Sequence, residues 1–310
     1  MTVTRKLRED TLAVVQFIHP GKEQTSVQRG WCQWNSAVRS DKAWPHRRKF
    51  LLSQAAYLRR SVTSKSETGK IGFWGEWESP SYALEVRKQG IDFPQFYHLP
   101  AFYEPVSYEG LLDTDPFVFG KRFLYNGCQQ HTAHNRPGGA VETFLRRLAV
   151  GSMILFGSSV RGRFVLDTVL VVSDYKDYPN GVFTELQGLV PKEYYAIALH
   201  PQARGNKTVD SFRLYRGAML ESPVAGMFSF VPCSPAQGIR FGFVRPNIVL
   251  PILTQNLTQG KKLIPMHDHN AVLAVWTEVV QQVLATQCAL AHYIEFSPLV
   301  NCASSQREQE

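Results

Sequence analysis

Cys128, His131 and His134 form a C-x2-H-x2-H run inside a loop bounded by Gly and Pro, and His267 and His269 flank Asp268 far downstream. Thiolate and imidazole are ligands that zinc accepts, and a tetrahedral site needs about four of them, so one distant histidine would have to complete the set. The spacing matches no standard zinc pattern, and no metal and no cofactor are assigned. Cys128 and His131 are also the residue types of a thiol nucleophile and its base, although adjacency in a loop does not establish a dyad.

A second group of side chains suits a ligand that carries phosphates and bases. Residues 1–70 hold fourteen Lys and Arg against five Asp and Glu, which leaves twenty against twenty-one for the remainder of a chain whose net charge is +8. Five of the six tryptophans, Trp31, Trp34, Trp44, Trp74 and Trp77, lie in or just after that basic stretch. Cations pair with phosphates and flat rings stack on bases. Arg47, Arg48, Lys49, Arg59 and Arg60 are therefore the expected phosphate contacts, and Trp74, Glu76, Trp77 and Glu78 the expected base contacts. Alternation along a strand puts Trp74, Glu76 and Glu78 on one face and Phe73, Gly75 and Trp77 on the other, so one tryptophan is expected in the core and the other on a surface shared with both carboxylates.

Three local resemblances add to this reading. Leu145-Arg146-Arg147-Leu148-Ala149-Val150-Gly151-Ser152-Met153-Ile154-Leu155-Phe156-Gly157, followed by Phe164–Val172, resembles the helix, glycine, strand and hairpin layout of the PUA-like superfamily with its ASCH and EVE branches. It covers about thirty residues, 141–172, and implies a compact β-barrel with a pocket for RNA or a modified base. Phe212-Arg213-Leu214-Tyr215-Arg216-Gly217 and Gly226-Met227-Phe228-Ser229-Phe230 resemble the Arg-bearing and Ser-bearing strands of arginine-type ADP-ribosyltransferases. That resemblance implies NAD positioned by Arg216 and Ser229, but no Glu-x-Glu follows, and Glu278 falls in a predicted helix. Asp167 with Glu185-Leu186-Gln187 resembles the metal-binding pair of PD-(D/E)xK nucleases on adjacent strands, with the lysine missing; it implies Mg²⁺ held by Asp167 and Glu185.

The elements that would position these groups are mostly strands. Leu12–Ile18 reads as a strand closed by His19-Pro20-Gly21. Arg47 to Leu58 reads as a helix, Ile71–Glu78 as a strand, and 93–119 as irregular aromatic chain. Val141–Val150 has helical spacing ended by Gly151. Ser152–Gly157 and Arg163–Val172 read as a hairpin. Further strands are expected at Gly181–Leu186, Tyr195–Leu199, Ser211–Tyr215 and Phe228–Val231. A long helix follows at Asn270–Ile294, capped by Asp268 or Asn270, and 303–310 should fray. No repeat or linker interrupts the chain.

The expectation is one composite α+β domain over 1–310: a mixed or antiparallel, barrel-like, PUA-like sheet with peripheral helices and a long C-terminal helix. A basic, Trp-rich region over 1–70 and a β core over 71–302 are its possible subdivision. With 44% hydrophobic and 19% charged residues and a mean hydropathy of −0.20, the composition is that of a globular protein, and no apolar run has the length of a membrane span. Five dispersed cysteines without a CxxC pair speak for a reducing, cytoplasmic setting rather than a disulfide framework. No Walker loop, GxGxxG, GxSxG or HExxH occurs, which sets aside the common ATPase, dehydrogenase, α/β-hydrolase and zincin classes. The function expected is binding of nucleic acid or a nucleotide, compatible with recognition of a foreign or modified base in antiviral defence. ADP-ribosyl transfer and metal-dependent cleavage are the enzymatic alternatives, and a scaffold that docks partners through the C-terminal helix or the 93–119 segment is a third class.

Overall fold

The strand read near the N-terminus is β1 (Ala13–Glu23), and it does not stop at His19-Pro20-Gly21. The computed structural model describes residues 9–23, 48–77, 81–85, 96–100, 114–132, 140–205, 207–236, 243–258 and 260–296. Trp31, Trp34, Trp44, Arg47, Glu78, His134, Cys32, Cys302 and the expected tail at 303–310 lie outside the described residues.

The fold is α+β and mostly strands. After β1 come β2 (Arg48–Leu58), β3 (Glu67–Glu76), β4 (Ser81–Glu85), β5 (Phe96–Pro100), β6 (Leu124–Tyr125), β7 (Met153–Val160), β8 (Arg163–Pro179) and β9 (Ser211–Gly217). Then follow β10 (Val231–Pro235), β11 (Gly260–Pro265), helix α3 (His269–Ala285) and β12 (Ala289–Ile294). Between β8 and β9 the chain is helical, with α1 (Lys192–Tyr194), a π-helical stretch at Tyr195–Leu199 and α2 (His200–Gly205).

One sheet has the order β11-β1-β7-β8-β9-β6, mixed because β1 runs parallel to β7. The other has the order β12-β10-β3-β2-β5-β4, and the extra pairing of β12 with β2 closes β2, β3, β10 and β12 into a four-strand barrel. The segments that resemble a PUA-like domain, including the β7–β8 hairpin, belong to the first sheet and not to this barrel.

The main core lies between the sheets. Phe17, Ile154, Phe156 and Leu170 from the first sheet meet Leu51, Phe73 and Trp77 from the second. The opposite face of the first sheet is covered by α3, whose Val272, Trp276, Val279 and Val283 pack on Val14, Leu155 and Val169. Each such large side chain, once buried, contributes roughly 1.5–3 kcal/mol.

Five expected elements take another form. Residues 48–58 are a strand because both faces are buried: Phe50 and Leu52 pack with Trp74 while Leu51 and Tyr57 face the main core. That double burial fills the positions that otherwise read as one helical stripe. Val141–Val150 forms only a 3-10 turn at Phe144–Arg146, since tertiary partners take its backbone groups: Leu148 N–H donates to the Tyr215 hydroxyl (3.0 Å), and the Arg147 carbonyl accepts from Thr11 N–H (2.8 Å). Gly181–Leu186 contains a 3-10 turn at Phe183–Leu186, and Tyr195–Leu199 is helical because Tyr194, Ile197, Ala198 and Pro201 put buried groups on one side of a helix. Finally, the long C-terminal helix ends at Ala285. Gln287, at φ 63°, turns the chain so that 289–294 becomes β12, while Asp268 caps the helix as expected, accepting from Ala271 N–H at 2.8 Å.

Candidate active site

Two irregularities in the first sheet aim polar side chains at the second. Between β1 and β7 the pairing steps from Ile18↔Gly157 to Lys22↔Ser159, so His19, Pro20 and Gly21 stand opposite the single residue Ser158. Between β7 and β8 it steps from Phe156↔Thr168 to Gly157↔Leu166, which leaves Asp167 as the extra residue of a bulge. Bulges re-aim side chains in this way and gather next to functional sites. Gly157 is required there, because a Cβ would sit 2.2 Å from the Val165 carbonyl oxygen.

Facing them, β2 begins with Arg48 and β3 ends with Glu76, paired with each other in the ladder. The result is a chain of contacts across the interior. The Cys128 Sγ lies 3.8 Å from His19 Nε2 and 3.9 Å from Nδ1. His19 Nδ1 is 3.3 Å from Glu76 Oε2, which also receives the Arg48 guanidinium at 2.5 Å. Arg48 donates to the His19 carbonyl as well, and its Nε lies 2.8 Å from Asp167 Oδ2. Arg245 then donates to Asp167 Oδ1 and Ser158 Oγ, each at 3.1 Å, with its guanidinium carbon 4.9 Å from the centre of the Trp74 ring. His19, Arg48, Glu76 and Asp167 are each at most 6% exposed. Among the described residues, Glu76 and Asp167 face the two guanidiniums of Arg48 and Arg245, so these buried ions are paired rather than alone.

The thiol is presented by a rigid loop after β6. Asp115 accepts three consecutive backbone N–H groups, from Asn126 (3.0 Å), Gly127 (2.7 Å) and Cys128 (2.8 Å). Burial pushes the Asp115 carboxyl up to about 6; the three amides pull it down, and the charge of Glu76 pushes it up further. The Tyr125 hydroxyl donates to the Cys128 carbonyl at 2.7 Å. Gln129 holds a left-handed conformation (φ 60°), and its carbonyl accepts from Thr143 Oγ1 and Lys261 Nζ, both at 2.8 Å. Gln130 mimics a strand partner by bonding both backbone groups of Arg213. Cys128 is partly exposed, whereas Cys233 and Cys288 are buried. Burial pushes both of those thiols up, Cys288 to about 11.

An imidazole held between a carboxylate and a thiol can take the thiol proton while the carboxylate fixes the ring and offsets the imidazolium that forms. The sulfur is almost equidistant from the two ring nitrogens, so proton transfer to Nε2 requires the ring to turn; catalytic hydrogen bonds commonly tighten with substrate in place.

The residues expected from sequence fall on several parts of the fold. Arg48, Glu76 and Trp74 join the chain just described, but inside it: Arg48 is 1% exposed, and Lys49 is also buried, so neither lies on the surface for phosphate. Trp77 is in the main core, as one tryptophan was expected to be. Trp74 lies on the other face with Phe50, Leu52 and Phe243, covered rather than open. Arg59 and Arg60 are exposed. Asp167 and Glu185 are not brought together as a metal pair, because Glu185 sits in the 3-10 turn and pairs with Lys176 at 2.8 Å. Arg216 pairs with Asp174, and the Ser229 hydroxyl accepts from Val171 N–H at 3.0 Å. His131 packs on the edge of Phe212 and His269 bonds the Val150 carbonyl, so they do not gather around Cys128. Among the described residues, no group of three or more His, Cys, Asp or Glu side chains could hold a metal ion.

No family model matches this chain. Neither a curated protein nor a solved structure matches it.

Sequence reasoning missed His19, Asp115, Arg245 and Lys261. His19-Pro20-Gly21 carries the composition of a turn, and only the pairing of distant strands shows that the chain continues through it. Among the described residues no helix is long and apolar enough to cross a membrane.

Proposed function

We propose that this protein is an enzyme that uses Cys128 as a covalent nucleophile, with His19 as general base and Glu76 orienting the imidazole. The observation that carries this reading is the placement of one buried imidazole between the Cys128 sulfur and the Glu76 carboxylate. His19 accepts the thiol proton, and the thiolate forms an S–C bond to an electrophilic carbon. The leaving group departs with the bonding electron pair and takes the proton from His19. Water, deprotonated by His19, then adds to the same carbon; the S–C bond breaks toward sulfur, and the thiol regains its proton. The test is alkylation with iodoacetamide at pH 7, followed peptide by peptide by mass spectrometry. An ordinary thiol is about 3% thiolate at that pH, so full activation raises its rate up to about 30-fold. Cys128 should react well ahead of Cys233 and Cys288, and His19→Asn should remove most of its advantage. A Cys128 that reacts like an ordinary thiol, with or without His19, overturns the proposal.

Binding of nucleic acid or a nucleotide is a second reading, favoured by the turn between β2 and β3. Arg59, Arg60, Lys65 and Lys70 are all exposed there, against the single acid Glu67. An exposed basic hairpin can follow a phosphate backbone, and such binding weakens steeply with salt. Labelled DNA and RNA should be retarded by the protein at low salt and released when Arg59 and Arg60 are both changed to Glu. Equal retardation by the charge-reversed protein refutes this role for the hairpin.

A further inference from the structure

We propose that Lys261 forms an anion subsite beside Cys128, so that the substrate carries a carboxylate or phosphate group close to the carbon that the thiol attacks. This rests on the reading of Cys128 as the nucleophile and adds the chemical class of what it attacks.

The placement follows from the sheet. Lys261 on β11 is directly opposite Phe17 on β1, and residues i and i+2 of a strand share a face, so Phe17 and His19 point the same way. The ring centres of those two residues are 5.8 Å apart. The Lys261 ammonium reaches the loop that presents the thiol, donating to the Gln129 carbonyl (2.8 Å) and Gln129 Oε1 (3.3 Å). Both acceptors are neutral, and among the described residues no carboxylate lies within ion-pair distance of this nitrogen. An ammonium has three donors, so two uncharged acceptors leave one N–H and the whole charge without an anionic partner. Lys261 is half-buried, so its charge is only partly hydrated, and an anion that completed the site would offset what that partial burial costs. Burial indeed lowers its pKa, and interaction with Cys128 raises it.

The neighbouring groups leave this role to Lys261. In many thiol enzymes backbone amides next to the nucleophile receive negative charge on the substrate. Here the amides of Asn126, Gly127 and Cys128 are all committed to Asp115, and Arg48 is committed to Glu76 and Asp167. Lys261, bonded to the residue that follows Cys128, is a described cation without such a commitment.

The experiment compares two alkylating agents of similar size on the full-length protein. Iodoacetate carries a carboxylate next to its reacting carbon, and iodoacetamide is its neutral counterpart; both form an S–C bond to Cys128 and release iodide. The ratio of their rates cancels the thiolate fraction and reports attraction for the anion. Two unit charges about 6 Å apart at an effective dielectric near 40 attract enough to raise the ratio roughly ten-fold. The ratio measured at Cys128 should therefore exceed that in the urea-unfolded protein by about this factor, fall toward it in Lys261→Met and be retained in Lys261→Arg. In the unaltered protein it should also fall as salt rises from low to high, which keeps the test decisive if the Met variant does not fold. Competition by inorganic phosphate or by acetate then separates phosphate-bearing from carboxylate-bearing substrates. If iodoacetamide modifies Cys128 rapidly but the ratio is unaffected by Lys261→Met and by salt, the anion subsite is refuted and the nucleophile stands. If neither reagent selects Cys128, both readings fall together.

Discussion

Asp115 should make the protein less stable as the pH rises from about 4 to about 7. Its carboxyl sits at about 6 in the folded protein against an ordinary value of 3.8, because burial outweighs the three amide hydrogen bonds. Between those two values the folded state keeps a proton that the unfolded state has released, so the stabilising contribution present below the unfolded value is lost as pH climbs through the folded one. A shift of about two units at about 1.4 kcal/mol each gives a loss of about 3 kcal/mol, complete near pH 7. Against a total stability of roughly 5–15 kcal/mol this is readily measured. The perturbation is Asp115→Asn, and the assay is urea unfolding of both proteins at intervals from pH 4 to pH 8. The variant turns an amide N–H toward the amides of Gly127 or Cys128 and should be weaker overall, so the readout is the slope with pH and not the offset. Stability of the native protein should fall relative to the variant by about 3 kcal/mol across the window and run parallel to it above pH 7. Curves that stay parallel throughout, within about 1 kcal/mol, would falsify the claim that this carboxyl is buried with its proton bound at pH 4–5.

The remaining predictions concern the parts that hold the site. Arg48→Met leaves Glu76 and Asp167 buried without their shared guanidinium and should cost about 3–5 kcal/mol in urea unfolding, whereas a cost under 1 kcal/mol would mean the ion chain is open to water. A Cβ on Gly127 would lie 1.0 Å from Gln202 Nε2, whose side-chain oxygen accepts from Asn126. Gly127→Ala should therefore destabilise by about 1–3 kcal/mol. Adding Gln202→Ala should recover part of that loss, and strictly additive costs in the double variant would show that the two side chains do not compete for one space.

Legibility of the sequence tracked how local each determinant is. The β7–β8 hairpin and β9 were visible because runs of β-branched or aromatic residues, continuous in the first and alternating with polar residues in the second, end at Gly or charged turns, and the Asp268 cap was visible from type and position alone. Residues 48–58 misled because a strand buried on both faces loses the period-two signal and can imitate a helical stripe. The end of α3 misled because no Gly or Pro marks it; Gln287 takes the left-handed conformation instead. At the site, Cys128 and Glu76 stood out by type, but each was assigned a different partner: Cys128 was set beside His131, three residues away, and Glu76 beside a ligand base. Their observed partners, His19 and Arg48, are reached only through strand pairing. Asp167 was noticed as half of a metal-binding pair with Glu185, whereas it is the extra residue of a bulge that turns it inward toward Arg48 and Arg245.

The contacts described from thiol to indole join residues at least 28 apart in sequence, and most of them far more. Cys128 and His19 are 109 residues apart, Lys261 and Gln129 132, and Arg245 and Asp167 78. Contacts of such separation bear the full entropy of closing long loops before they stabilise anything, so they tend to form late and slowly. The thiol, base and orienting carboxylate all fall within residues 19–128, but on β1, on β3 and in the loop after β6, so no single hairpin holds them together. Cys128 is then an ordinary cysteine until β1, β3 and the loop after β6 have met. Delaying a nucleophile until those segments have packed protects a half-folded protein from its own reactivity. It also makes the alkylation rate of Cys128 during refolding a clock for the last step of assembly.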